Sequence, residues 1–160
     1  MAVWGGDARY LALVERHGTS LLHLAILLTG NRSDAEDVVQ DALISVASQP
    51  LRAHTIAYLR KSVSNRAMDL LRRRREIPSD TIPDVSYDDA NFFHHERQER
   101  FLQLVNALPA GQRATLILRY YADLDDRDIA QILGVTVETV RSQAHRGLAK
   151  LRATTREGTP

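Results

Sequence analysis

Residues 108–152 read LPAGQRATLILRYYADLDDRDIAQILGVTVETVRSQAHRGLAKLR and carry the clearest structural pattern in the chain. Its apolar residues recur at intervals of three and four, which is the period of amphipathic α-helices. Short polar or glycine-containing segments interrupt this pattern, so the stretch predicts helices separated by tight turns. The last two helices follow each other so closely that they predict a helix-turn-helix.

Local signals place the ends of these two helices. Asp125 is suited to cap the N-terminus of the first, and Asp128 adds negative charge to its first turn, which the helix dipole favours. Gly134 supplies the left-handed residue that ends it. Ala130 is small enough to let the second helix approach closely. After the turn, Thr136 is suited to cap the second helix.

The second helix has an apolar face and a basic face. The apolar residues form one stripe that must be buried, and they are Val137, Val140, Ala144, Leu148 and Leu151. The opposite face carries Ser142 and Arg146, with Arg141 and His145 beside them. A buried stripe backed by a basic face suits a helix in the major groove of DNA. A plain helical hairpin with a solvated basic face is the alternative, since capped helices with a glycine turn also occur in ordinary bundles.

Composition limits the classes of protein that this chain can be. With 160 residues, 44% of them hydrophobic, two compact helical units are expected. The absence of cysteine excludes disulfides, zinc–thiolate sites and thiol redox sensing within the chain. The longest apolar run, residues 21–28, is interrupted by His23 and is far shorter than the ~20 residues that span a bilayer. Because no secretory signal pattern is present either, we expect a cytoplasmic protein without membrane insertion.

Charged residues are clustered, although the net charge is only +1. Basic residues crowd residues 60–75 and 141–156, whereas acidic residues crowd residues 34–41. A basic patch suits a polyanion and an acidic patch suits a basic protein surface. Two different kinds of partner are therefore expected.

The N-terminal part predicts two helices before Pro50. The first covers residues 8–29 and ends at Gly30. Ser33 followed by Glu36 forms a capping-box pattern, which predicts the start of the second helix.

The outer side of the second helix is acidic. Asp34, Asp37, Gln40 and Asp41 are left outward when the apolar residues of this helix face a core. Such a stripe is consistent both with solvated surface and with a protein-binding surface.

A third helix is predicted over residues 56–75. Its outer side presents Lys61, Asn65 and Asp69 at intervals of four, which places them in a single row. Four consecutive arginines, residues 72–75, end the helix. They suit the helix dipole and their stems can cover apolar surface, but four like charges also repel one another. We interpret the run as a binding site for backbone phosphate, which releases counterions on binding.

Residues 76–91 are rich in proline, serine and aspartate and show little periodicity, which predicts a flexible linker. The linker separates an N-terminal unit, residues 1–75, from a C-terminal unit, residues 92–153. Residues 154–160 are expected to fray. The predicted fold class is all-α, with two small helical domains.

Three motifs in this chain resemble the sigma factors of bacterial RNA polymerase, specifically the extracytoplasmic-function group of the sigma-70 family. The motifs are LTGNRSDAEDVVQDAL (residues 28–43), NRAMDLLRR (residues 65–73), and LPAGQRATLILRYY with DIAQILGVTVETVRSQAHRGLAKLR. One helix-turn-helix is a weak signal, whereas three motifs in family order over nearly the whole chain are specific. The resemblance implies a sigma domain 2 helical bundle followed by a sigma domain 4 helix-turn-helix.

The resemblance implies where core polymerase binds. Asp37, Gln40 and Asp41 match the positions that contact the coiled-coil clamp helices of the β′ subunit, and an acidic row suits a basic clamp surface. Residues 119–121 and their surroundings would meet the flap of the β subunit. An anti-sigma factor is expected as a controlling partner. No cofactor, no metal and no enzymatic activity are implied.

The resemblance also implies three sites on promoter DNA. The loop of residues 49–55 would form a pocket for a base flipped from the non-template strand. The contacts to the −10 element would be Lys61, Asn65 and Asp69, with Arg72 and Arg73 on phosphate near the melting junction. The contacts to the −35 element would be Arg141, Ser142, His145 and Arg146, and Arg146 is suited to bidentate recognition of guanine.

The chain departs from the family pattern at several positions. Tyr58 stands where the family often has tryptophan. Arg60 and Ser62 stand where apolar residues are common, so the helix that melts DNA is unusually polar. Gln143 replaces a frequent arginine and Asp126 replaces a frequent aromatic residue.

Two other functions are consistent with parts of the sequence. A DNA-binding regulator would use the same helix-turn-helix without polymerase, but it leaves the acidic row and the row on the third helix unexplained. A metal-dependent hydrolase is suggested by Asp88, Asp89, His94, His95 and Glu96. Against it, adjacent histidines on a helix point about 100° apart and cannot easily converge on one ion.

Overall fold

The computed structural model describes residues 8–52, 55–87 and 96–157. Within these residues the chain forms helices and no strand, which confirms the all-α prediction. The α-helices are α1 (Ala8–Thr29), α2 (Arg32–Ala47), α3 (Thr55–Arg75), α4 (Glu96–Asn106), α5 (Ala110–Leu116), α6 (Asp126–Leu133) and α7 (Val137–Glu157). A π-helical turn, Ile117–Tyr121, continues α5 directly.

Helices α1, α2 and α3 pack together as the N-terminal unit. Leu24 and Leu28 of α1 are fully buried there, together with Ala35 of α2 and Ala67 of α3. The two alanines let the helices approach closely, while each buried leucine contributes about 1.5–3 kcal/mol relative to an exposed one. The C-terminal half of α1 therefore forms the centre of this unit.

Helix α1 is also long and apolar enough to cross a membrane, with 22 residues and an 18-residue window of mean hydropathy 1.3. Its apolar C-terminal half is buried against α2 and α3. Core helices of soluble proteins commonly reach this length and hydropathy. Burial in the core thus accounts for the apolar character of the C-terminal half of α1, whereas only 33% of the whole apolar window is buried.

The start of α2 differs from the sequence prediction. The N-cap is Asn31 rather than Ser33, and its side chain accepts a hydrogen bond of 3.0 Å from the backbone N–H of Asp34. The capping-box prediction is wrong because Gly30, with a φ of 73°, turns the chain so sharply that α2 begins at once. Asp34 was expected on the outside but is buried, since it forms an ion pair of 2.5 Å with Arg74 of α3.

The C-terminal unit consists of α4 to α7, with α5 and α6 packed on α7. In the π-helical turn the N–H of Ala122 donates to the carbonyl of Ile117 over 3.0 Å, a five-residue spacing that widens the helix. A Cβ on Gly147 would lie 2.9 Å from the side chain of Leu116, so glycine permits the close contact of α7 with α5. Because α7 continues to Glu157, the prediction that the chain frays is wrong for residues 154–157, and residues 158–160 lie outside the described residues.

Residues 76–87, here called the strap, contact both units. The hydroxyl of Tyr87 donates to the carbonyl of Leu27 in α1. Arg113 of α5 donates to the carbonyl of Val85 over 3.0 Å, and Val85 is buried in the core. The rest of the predicted linker lies outside the described residues.

One hydrophobic core runs through both units. At their junction Leu28 of α1, Met68 of α3 and Ile117 of the π-helical turn meet Pro83 and Val85 of the strap. Since these apolar side chains come from both sides of the junction, separating the units would expose them to water.

Candidate nucleic-acid and protein interfaces

Helices α6 and α7 form the predicted helix-turn-helix. The side chain of Asp125 accepts a hydrogen bond of 2.9 Å from the N–H of Asp128. Gly134 ends α6 in the left-handed conformation, with a φ of 69°. Thr136 accepts a hydrogen bond of 3.1 Å from the N–H of Thr139 in the first turn of α7. These contacts confirm the three capping predictions.

The predicted basic face of α7 lies on the surface. Arg141, His145 and Arg146 are exposed, and Ser142 is half-buried between them and the core. Among the described residues no carboxylate forms an ion pair with Arg146. Its guanidinium can therefore turn to an external acceptor.

Asp126 fixes one edge of this face. Its carboxylate accepts a hydrogen bond from Arg119 and lies 3.5 Å from Nε of Arg141. The hydrogen bond from Arg119 lowers the pKa of Asp126, although burial acts in the opposite direction. Asp126 therefore stays ionised and orients Arg141, a role that its sequence position alone did not indicate.

The acidic row of α2 is exposed as predicted. Asp37, Gln40 and Asp41 lie on the surface, while Val38 and Ala42 on the other side of the helix are buried. Ile44, one turn further along, is 46% exposed. Ile44 was not predicted from the sequence, although its spacing of three from Asp41 places it on the same side. Together these residues make an acidic row with an apolar end.

The row on α3 is partly covered by the C-terminal unit. Lys61 and Asn65 are half-buried and Asp69 is exposed. Nζ of Lys61 donates to Oδ1 of Asp128 in α6 over 2.8 Å. This ion pair holds the ammonium group of Lys61 against α6 and uses one of its three N–H donors, while the side chain is 39% exposed.

The four arginines at the end of α3 have different surroundings. Arg74 forms the ion pair with α2 described above, and Arg75 donates to the carbonyl of Asp84 in the strap. The side chain of Arg72 is 10% exposed, and its Nε donates to Thr81 of the strap over 3.4 Å. Arg73 is exposed. Part of the arginine run therefore stabilises the fold.

The loop between α2 and α3 borders a cavity of about 430 Å³, here called the loop pocket. This volume is within the ~300–1,000 Å³ typical of ligand pockets. The ring of Tyr58 is 49% exposed and offers a flat surface for stacking. The residues that line the pocket are Val46, Gln49, Pro50, Leu51, Arg52, Thr55 and Tyr58.

The structure does not describe the residues that suggested a metal site. Asp88, Asp89, His94 and His95 lie outside the described residues, as does the side chain of Glu96. In the part of the chain that is described, no group of three or more His, Cys, Asp or Glu residues is placed to hold a metal ion.

Two family models match the chain, one on each unit. Residues 13–77 match Sigma-70 region 2, and residues 98–151 match Sigma-70, region 4. The chain is 32% identical over 148 residues to the RNA polymerase sigma-E factor of Streptomyces avermitilis, covering 87% of this chain and 80% of that protein. It is 34% identical over 151 residues to the ECF RNA polymerase sigma factor SigE of Mycolicibacterium smegmatis, covering 88% of this chain and 59% of that protein.

Two solved structures share the fold at 23% sequence identity. CnrH in complex with the cytosolic domain of CnrY superposes with a TM-score of 0.56, covering 99% of this chain and 94% of CnrH. The sigma factor RpoE in complex with the anti-sigma factor NepR from Bartonella quintana gives a TM-score of 0.60, covering 96% of this chain and all of RpoE.

Proposed function

The chain belongs to the extracytoplasmic-function group of the sigma-70 family, and we propose that its two helical units divide promoter recognition between them. It is a sigma factor, which binds core RNA polymerase and directs initiation at specific promoters. In our proposal residues 1–75 bind core polymerase and the −10 element, residues 92–153 bind the −35 element, and residues 76–91 join them. The protein acts in the cytoplasm and selects promoters without catalysing a reaction itself.

The observation that carries this proposal is the coexistence of two exposed surfaces of opposite charge on one chain. The acidic row of α2, formed by Asp37, Gln40 and Asp41, suits the basic clamp helices of the β′ subunit. The exposed face of α7 suits the negatively charged major groove. A simple DNA-binding regulator needs the second surface but has no use for the first.

On α7 the proposed −35 contacts are Arg141, Ser142, His145 and Arg146. The guanidinium of Arg146 matches the two acceptors of guanine in the major groove. Arg141 is held at the edge of the face by Asp126, so we assign it to positioning on phosphate or an outer base.

On α3 the proposed −10 contacts are Lys61, Asn65 and Asp69, with Arg73 on phosphate. Arg72 shares the phosphate role in our proposal, but its nearly buried side chain must first leave the strap. The loop pocket takes the base that is flipped out of the duplex, and the exposed ring of Tyr58 stacks on it.

We further propose that an anti-sigma factor controls this protein. One of the solved structures with this fold is the sigma factor RpoE bound to the anti-sigma factor NepR, and CnrH is likewise bound to a second protein. The exposed Ile44 at the end of the acidic row adds an apolar contact that a competing protein can share with polymerase.

Run-off transcription tests the proposal directly. Purified core polymerase is incubated with this protein and a library of promoter fragments, and discrete new transcripts are expected. Asp41→Lys should abolish them and weaken binding to core polymerase in the absence of DNA. Glu99→Lys, the same charge change at an exposed position of α4, is the matched control and should leave both unchanged.

Other outcomes have clear meanings. Tight binding to duplex DNA without binding to core polymerase would identify a simple regulator and contradict the proposal. Equal losses from Asp41→Lys and Glu99→Lys would show that total charge, rather than the row on α2, governs docking.

A further inference from the structure

A second cavity, of about 360 Å³, lies beside the loop pocket. It lies between the N-terminal half of α1 and the loop that precedes α3. Leu51, Arg52 and Thr55 line both cavities. The two cavities therefore adjoin at these residues.

The second cavity is basic. Arg9, Arg16 and His17 of α1 and Arg52 of the loop line it, and we call it the basic cleft. Arg16 and Arg52 are exposed, and neither forms an ion pair with a described carboxylate. Glu15, the one carboxylate of α1, is not among the lining residues.

A further arginine acts on this cleft from α3. Burial lowers the pKa of His17, and the guanidinium groups of Arg16 and Arg60 lower it further. Arg60 therefore adds to the positive potential around the cleft. Arg60 stands where apolar residues are common in the family, and its charge beside the cleft gives it a role there.

We propose that the basic cleft binds backbone phosphates of the single DNA strand whose base occupies the loop pocket. This inference rests on the proposed function, since it needs a flipped base in that pocket. It adds a phosphate-binding site, with Arg16 and Arg52 as its main ligands, to the surface assigned to the −10 element.

The position of the cleft favours a nucleic acid over an acidic protein segment. A flipped base is covalently joined to a phosphate on each side, so its strand must enter and leave along the surface beside the pocket. The cavity that shares three lining residues with the pocket is within reach of the adjoining nucleotides. Proteins that hold single strands combine a stacking surface with a positively charged groove that follows the backbone, and Tyr58 and the basic cleft supply these two parts.

The test uses holoenzyme reconstituted from core polymerase and the full chain. The probe is a fluorescent fork-junction DNA with a single-stranded non-template −10 segment and no −35 element. Its affinity is measured by anisotropy at several salt concentrations. For single strands the slope of log K against log salt changes by about 0.7 for each phosphate contact. Arg16→Gln/Arg52→Gln should therefore reduce the slope by about 1.4.

Three further variants control for charge and folding. Arg16→Lys/Arg52→Lys keeps both charges and should retain most of the slope. Arg127→Gln/Arg156→Gln removes two exposed arginines of α6 and α7 and should leave the slope unchanged. All variants should bind core polymerase without DNA as tightly as the unchanged chain.

The outcomes separate this inference from the proposed function. An unchanged slope in Arg16→Gln/Arg52→Gln would overturn the phosphate site while leaving the sigma factor role intact. A loss of core binding in the same variant would assign the cleft to a protein partner and also overturn it. If the unchanged chain formed no active holoenzyme, the proposed function would fail and this inference with it.

Discussion

Arg146 and Arg73 are both exposed arginines, but they belong to different surfaces. Arg146 lies on the face of α7 that is proposed to enter the major groove, where a guanidinium can meet two acceptors of one base. Arg73 ends α3, where the proposed ligand is phosphate. Phosphate contacts fix position and base contacts carry sequence information, so substitutions of the two residues should affect DNA binding differently.

Arg146→Ala should relax specificity at a single −35 base pair, with a loss of about 1–3 kcal/mol of discrimination. Arg73→Ala should weaken binding to every promoter and reduce the salt slope by about 1. Both effects are measured by binding holoenzyme to promoters with single −35 substitutions at several salt concentrations. A uniform loss from Arg146→Ala would contradict this division of roles.

Tyr87 is a second residue whose surroundings give a testable effect. Burial raises its pKa to about 12, and its hydroxyl donates to the carbonyl of Leu27. A raised folded-state pKa means that stability is complete below pH 10 and is lost as pH rises through 12. The loss should reach about 2–3 kcal/mol. Urea unfolding between pH 8 and 12 measures it.

Tyr87→Phe should lower the free energy of unfolding by about 1 kcal/mol at pH 8, because the hydrogen bond is gone. In the same variant the free energy of unfolding should fall much less between pH 10 and 12. Tyr58→Phe, at an exposed ring, should show the same fall as the unchanged chain. A full alkaline decline in Tyr87→Phe would show that another group titrates.

At the scale of elements, two helix ends depend on contact with the strap. Helix α1 is followed by Gly30 and α6 by Gly134, both with positive φ. A Cβ on Gly30 would overlap the carbonyl oxygen of Ser86, and one on Gly134 would overlap that of Ser79. Each glycine therefore serves two needs, a left-handed turn and the close approach of the strap.

Gly134→Ala should lower the free energy of unfolding by more than about 2 kcal/mol, because a left-handed residue costs about 1–2 kcal/mol and the overlap adds to it. Gly18→Ala is the matched control, since its Cβ would lie 3.8 Å from Val14 in the middle of α1. That change should instead stabilise the protein by about 0.5–1 kcal/mol. Chemical denaturation compares the two, and a similar effect from both would contradict the role of the strap.

The elements also show what the sequence could predict. The caps at Asp125, Gly134 and Thr136 were predictable because each depends on residues at most a few positions away. The burial of Asp34 was not, since its partner Arg74 lies forty positions further along. The π-helical turn and the Arg119–Asp126 contact likewise depend on packing between elements.

Arg113 is a further residue whose surroundings could not be predicted from the sequence. It reads in the sequence as one more surface arginine, yet its side chain is 8% exposed. Its guanidinium donates to the carbonyls of Val105, Val85 and Leu108 at 3.1, 3.0 and 2.8 Å. The sequence pattern does not indicate this role, because the carbonyls that accept from Arg113 come from α4, from the turn after it and from the strap.

At the scale of the whole molecule, the two units share a core and an ion pair. The apolar junction around Leu28, Met68 and Ile117 is accompanied by the contact between Lys61 and Asp128. Lys61 is one of the proposed −10 residues. In the free chain the carboxylate of Asp128 therefore competes with DNA for its ammonium group. Contact of Lys61 with the −10 element is therefore favoured by a local separation of α3 from α6.

Asp128→Asn should favour this separation. Because exposed ion pairs contribute about 0–1 kcal/mol, affinity of the free chain for a single-stranded −10 oligonucleotide should rise by up to about fivefold. Asp123→Asn removes a carboxylate from the exposed loop before α6, where asparagine tolerates the positive φ of 57°, and should have no effect. Anisotropy measures both, and equal affinities for Asp128→Asn and the unchanged chain would contradict the competition.

The docked strap also sets the reach of the molecule. Residues 76–95 connect α3 to α4, and twenty residues have a contour length of about 70 Å when fully extended. After the units separate, the second finds its site as an intramolecular event, at an effective concentration in the ~mM range that short tethers provide. Doubling the length of the tether would lower this effective concentration by about threefold. Avidity for a bipartite target thus depends on a tether whose first part, the strap, the free protein keeps folded against its own surface.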